Sequence, residues 1–113
     1  MENTRQNKIA RLVQRALGEI FQIESRNIFF GAMISVTKVN VTRDLSLARN
    51  YISIFATDKT KEVVFEQVIA NKSYLRKLLG QKIGKQVRAI PDIDFFIDDS
   101  LDYIENIEKL LKE

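Results

Sequence analysis

The sequence contains no cysteine and no histidine. The first absence excludes disulfides, thiolate nucleophiles and zinc–thiolate sites. The second removes the commonest general base and the commonest transition-metal ligand. Tryptophan is missing too, and there is one proline. The four glycines, Gly18, Gly31, Gly80 and Gly84, make no phosphate-cradling spacing. No apolar run approaches the roughly 18 residues of a spanning helix. The opening MENTRQNK has no apolar core behind its charges, so no signal peptide is expected. What is present is 113 residues, 45% apolar and 29% charged. That is the profile of a packed cytoplasmic protein with one domain over residues 1–113, not of a disordered or fibrous chain.

The net charge of +3 conceals an asymmetry. Residues 92–113 hold eight acidic residues against two lysines, a net of −6, which leaves +9 on residues 1–91. Between Gln67 and Pro91 there is no carboxylate, yet Lys72, Arg76, Lys77, Lys82, Lys85 and Arg88 all fall there. A basic body with an acidic end calls for a polyanionic partner, nucleic acid before an anionic membrane.

Hydrophobic spacing orders the elements. Ile9, Leu12, Val13, Ala16, Leu17, Ile20 and Phe21 form one stripe of a helix over 4–24, with Asn3 or Thr4 as cap and Gln6 completing a capping box with Asn3. Lys8, Arg11 and Arg15 lie within about 60° of one another on its flank. Gly31 closes a loop before a strand over 32–42. In that strand Ile34 and Val36 share one face while Val39 and Val41 share the other, which requires a bulge near Thr37 and Lys38. Arg43 to Ser46 reads as the polar turn of a hairpin, and 47–56 as its second strand. Two consecutive helices follow, over 60–70 and 73–80, with a kink at Asn71, Lys72 and Ser73, and Gly80 and Gly84 ending the second. Pro91 opens a third strand with Ile93, Phe95 and Ile97 inward and Asp92, Asp94, Phe96 and Asp98 outward. Ser100 caps a last helix carrying Leu101, Ile104, Ile107, Leu110 and Leu111. The order α-β-β-α-α-β-α predicts an α+β fold with helices packed on a three-stranded sheet.

An enzyme is a poor expectation without His or Cys. The only dense carboxylate group is Asp92, Asp94, Asp98 and Asp99, which reads as a solubilised strand face rather than a Mg²⁺ site. The second middle helix is more informative. Tyr74, Leu75, Leu78 and Leu79 take one side, and Lys72, Arg76 and Lys77 the other, with no acid nearby in sequence. Lys82, Lys85 and Arg88 continue beyond. The helix start at Asn71, Lys72 and Ser73 offers backbone N–H groups that favour phosphate. Phe29, Phe30, Phe96 and Tyr103 could stack on bases, although packing is the commoner use. These residues suit a nucleic-acid backbone. The alternatives are a basic adaptor for an acidic protein and a carboxylate-based enzyme.

The element order is similar to that of the type II KH domain, a resemblance that gives a generic KH-type RNA-binding protein as a further alternative. More specifically, the chain resembles the ribosome-binding factor A family from about Arg5 to Leu111. The residues that carry the likeness are the helix Arg5 to Ile20, the segment Ile34 to Leu45 (ISVTKVNVTRDL) followed by Ala48, the pair Leu75 and Arg76 leading to Leu79 and Gly80, and Val87 to Pro91 (VRAIP) with Phe95 and Asp98 to Ser100. The family has an Ala-x-Gly at the kink; here Ala70, Asn71 and Lys72 stand there, so a lysine replaces the glycine. The resemblance implies a non-catalytic, cofactor-free factor. Its partners would be the 30S subunit and its 16S rRNA, with a link to a KH-containing GTPase. Its role would be late processing of the rRNA 5′ end and growth in the cold. The expectation is a monomer with no membrane association.

Overall fold

The computed structural model describes residues 4–98. Six elements follow in order: α1 (Thr4–Ile28), β1 (Met33–Val41), β2 (Leu47–Phe55), α2 (Lys61–Ala70), α3 (Lys72–Ile83) and β3 (Asp92–Ile97). The strands form one mixed sheet in the order β1-β2-β3, antiparallel between β1 and β2 and parallel between β2 and β3. This is the expected α+β architecture. The helix expected after Ser100 lies outside the described residues.

The phase change in β1 is a bulge. Val36 pairs with Ile52 and Lys38 with Tyr51, so Thr37 is the extra residue. Ile34 and Val36 are therefore buried before it and Val39 and Val41 after it, all on the helix side. Thr37 uses its freedom to donate to the Tyr51 carbonyl at 3.1 Å and to meet Asp98 Oδ2 at 2.6 Å.

The core forms where α1 lies on the sheet. Val13, Leu17, Ile20 and Phe21 meet Ile34, Ile52, Ile93 and Phe95, all buried. The Phe21 ring contacts Phe29 and Phe95 edge-on, with centroids 5.5 and 5.8 Å away. Each such side chain contributes roughly 1.5–3 kcal/mol by leaving water. Helix α1 also seals the outer edge of β1, because Gln6 Nε2 donates to the Val41 carbonyl at 2.9 Å and Gln14 Nε2 to that of Val36 at 3.0 Å. The capping role expected of Gln6 involves Asn3, which lies outside the described residues.

Two helices run longer than their spacing predicts. Helix α1 continues through the polar Ser25, Arg26 and Asn27 to Ile28. It then ends on Gly31 at φ 75°, whose N–H reaches the Ser25 carbonyl at 2.9 Å. Helix α3 passes straight through Gly80 to Ile83. Burial of Ile83 outweighs the weak helix propensity of one glycine, and Ile90 packs beside Gly80. Ile83 thereby takes the place expected of Tyr74. Leu75, Leu79 and Ile83 are the buried residues of α3, and Tyr74 is exposed.

Candidate nucleic-acid interface

The first half of α1 presents Lys8, Arg11 and Arg15 outward, as their helical phase requires. The loop that follows α3 folds back beside them. Together with Thr4, Asn7, Leu12 and Gln86 they line an open cleft of about 690 Å³. Arg15 reaches Glu19 only loosely, at 3.8 Å. Lys8 and Arg11 have no carboxylate within ion-pair distance among the described residues.

A second cleft, of about 540 Å³, adjoins the same loop from the other side. Arg5, Arg43, Arg76 and Arg88 line it, with Asp44 and Asp92. Arg5 continues the three-residue ladder to Lys8 and Arg11 on α1, a spacing visible in the sequence. Arg43 stands in the β1–β2 turn, and no local pattern announces its neighbourhood with Arg88. Beside it, Leu45 adopts φ 64° and donates its N–H to the Thr42 carbonyl at 2.9 Å. The Asp44 carboxylate accepts from Ser46 Oγ at 2.7 Å, Thr42 Oγ1 at 2.8 Å and the Ser46 N–H at 3.1 Å. These bonds, the Ser46 hydroxyl first, hold its carboxyl below the ordinary carboxylate range.

Helix α3 departs from expectation. Its basic side has acidic partners, supplied from elsewhere in the chain. Lys72 Nζ meets Asp94 Oδ1 at 2.9 Å, Arg76 Nε meets Asp92 Oδ1 at 3.2 Å, and Lys82 Nζ meets Glu19 Oε2 at 3.1 Å. Arg76 also donates to two backbone carbonyls, Ile90 at 2.8 Å and Pro91 at 3.2 Å, which ties α3 to the chain entering β3. Lys77, Lys85 and Arg88 are exposed and carry no ion pair among the described residues.

The kink also differs in detail. Asn71 closes α2, with its N–H reaching the Gln67 and Val68 carbonyls and its Nδ2 donating to Gln67 at 2.8 Å. Its side chain therefore makes no cap for α3, and Ser73 is exposed. Asp94, which takes Lys72, is itself held from below. The buried Asn50 Nδ2 donates to the Asp94 carbonyl at 3.1 Å, and to that of Ala48 at the same distance. Asn50 Oδ1 has no hydrogen-bond partner among the described residues.

Asp92 and Asp94 are thus matched to cations. No cluster of three potential metal ligands exists among the described residues, and Asp99 lies outside them. Of the aromatics, Phe29 is buried, Phe30 sits 5.7 Å from Lys59 Nζ, and Phe96 stacks on Tyr51 at 5.4 Å. Tyr103 lies outside the described residues. No described helix is long and apolar enough to cross a membrane.

The profile of the family described as ribosome-binding factor A matches residues 5–111. The chain belongs to the ribosome-binding factor A family. The Cytophaga hutchinsonii ribosome-binding factor A is 41% identical over 113 residues, covering 100% of this chain and 84% of the relative. Members of this family are ribosome-binding factors, and it is not an enzyme family. The fold agrees. The crystal structure of Thermus thermophilus ribosome-binding factor A superposes with a TM-score of 0.66 at 20% identity, covering 81% of this chain and 94% of that one. A homology model of the Thermus thermophilus ribosome-binding factor A, fitted into the cryo-EM map of a complex of that factor with the 30S subunit, gives 0.63 at 20% identity over 80% of this chain and 91% of that one.

Proposed function

We propose that residues 1–113 act as one KH-like RNA-binding domain that grips the 16S rRNA backbone of the 30S subunit. The observation that carries this reading is the convergence of Arg5, Lys8 and Arg11 of α1 and Arg88 of the loop after α3, without an ion pair among the described residues, on adjoining clefts. Lys8, Arg11 and Arg15 supply the first wall. Lys85 and Arg88 supply the loop, and Arg5 and Arg43 extend the grip. Lys77 adds an outlying contact, while Lys72, Arg76 and Lys82 are engaged within the protein and contribute through their residual exposure. Asn71 and Ser73 border the kink and place these helices.

Such a grip is sequence-blind and positions the factor, so recognition comes from the shape of the folded RNA. In this reading the protein works in the cytoplasm as a monomer, without cofactor or chemical step. It holds the immature subunit during late processing of the rRNA 5′ end, supports growth in the cold, and works in the same pathway as a KH-containing GTPase. The presence of a related factor in a 30S complex supports the choice of subunit.

Co-sedimentation with small subunits tests the proposal. Binding at about 50 mM salt should fall by orders of magnitude by about 200 mM, as counterion release requires. A protein that stays in the supernatant at low salt ends the proposal, and one that pellets equally at both salts binds by another surface.

A further inference from the structure

We infer that Asp92 and Asp94 are selectivity residues, a carboxylate pair that occupies Lys72 and Arg76 in place of phosphate and yields them only to an RNA strand seated in the groove between α3 and β3. This rests on the RNA-binding reading above, and deepens it at one place.

The groove is built by two matched repeats. Four residues of helix separate Lys72 from Arg76, a rise of about 6 Å. Two residues of strand separate Asp92 from Asp94, about 6.6 Å. The intervals agree, so each cation meets one carboxylate, at 2.9 and 3.2 Å. Ile93 between them is buried, which forces both carboxylates to the same side. Two anions at this interval resemble two successive phosphates of one strand. Leu47, Ser73 and Ile93 complete a groove of about 420 Å³ around them.

The pairs are exchangeable. Their side chains keep 42% and 41% of their surface exposed for Lys72 and Asp94, and 47% and 77% for Arg76 and Asp92. Half-exposed pairs are held weakly and are screened by salt. They are also unequal. Arg76 stays tied to the Ile90 and Pro91 carbonyls whatever happens to Asp92. Lys72 has Asp94 alone among the described residues. Asp94 therefore controls the cation that is free to move. A polyanion that only grazes α3 meets two carboxylates and gains nothing. A strand that enters the groove replaces them and gains two cations.

Heparin chromatography and salt titrations with homopolymeric single-stranded RNA, polyanions without the folded shape that seats a strand in the groove, test this on the full chain. Asp94→Asn should elute from heparin at higher salt than wild type and bind the homopolymer several-fold more tightly. Its slope of log affinity against log salt should steepen by about 0.7, one added phosphate contact. Asp92→Asn should gain less. Asp58→Asn, at an exposed loop position without an ion pair among the described residues, makes the same change of net charge and should gain least. Adding Lys72→Gln to Asp94→Asn should return the slope to wild type, and Asp94→Glu should leave it there. Equal gains for Asp94→Asn and Asp58→Asn, or a gain that survives Lys72→Gln, overturn the inference. Thermal unfolding of each variant identifies any that fail to fold, and Asp94→Glu still reads the charge. If wild type fails to pellet with small subunits while these heparin shifts hold, the proposed function falls and the carboxylate pair stands.

Discussion

Lys8, Arg11 and Arg15 on α1 carry the same chemistry as Lys72, Arg76 and Lys82 on α3, on the same kind of element. Each of the second three has a carboxylate within 3.2 Å, and Lys8 and Arg11 have none among the described residues. The difference lies in what the fold sets opposite each helix. Helix α3 runs beside two outward aspartates of β3, Asp92 and Asp94, and beside Glu19 of α1. The first half of α1 faces the loop after α3, whose residues 84–90 contain no acid. A run of positive charge in sequence is thus not a run of available charge. Availability depends on which strand edge or loop the chain folds against it, and it moves the centre of the proposed interface from α3 toward α1.

The largest effect that tests this contrast is charge reversal on α1. Lys8→Glu with Arg11→Glu removes two unpaired cations and adds repulsion. Affinity for small-subunit RNA should fall roughly 10- to 100-fold near 100 mM salt, with the salt slope reduced by at least about 1.4. A fall below about threefold would place the interface elsewhere. On α3 the corresponding loss should appear in stability. Arg76→Ala frees two backbone carbonyls and breaks an ion pair, so unfolding free energy should drop by about 2 kcal/mol in urea titrations. Lys77→Ala, next door and unpaired, should stay within about 0.5 kcal/mol. Equal values for the two would mean that Arg76 is as idle as its neighbour. A charge reversal at Arg76 therefore perturbs the fold as well as RNA binding.

Much of the scaffold was legible because it rests on local periodicity. The phase change between Val36 and Val39 announced the bulge, and the alternation of Ile93 and Phe95 with Asp92 and Asp94 announced β3. Element ends were less legible, since Gly80 carries a local signal for termination that the distant packing of Ile83 overrides. The site was half legible. Helical phase found Lys8, Arg11 and Arg15, but nothing local brings Arg43 beside Arg88. The lack of acids between Gln67 and Pro91 was a true statement about sequence. It failed as a statement about surroundings, because Lys72 and Asp94 are 22 residues apart and meet only through the parallel pairing of β2 with β3.

The smallest expected effect concerns how Arg43 is presented. Its turn is held by Asp44, whose carboxylate accepts from Ser46 and Thr42. These bonds favour the charged form, so the folded-state value lies below the ordinary 3.8. A depressed carboxylate contributes stability that is present above the unfolded-state value and is lost as pH falls through the folded-state value. The advantage of wild type over Asp44→Ala should therefore be full at neutral pH and shrink as the solution is acidified below the ordinary carboxylate range, when read as the difference in Tm. Because Asp44 is fully exposed, that difference should be small and should narrow in high salt. A difference that stays constant into the acid range would show that the hydroxyl bonds, and not the charge, hold the turn that carries Arg43.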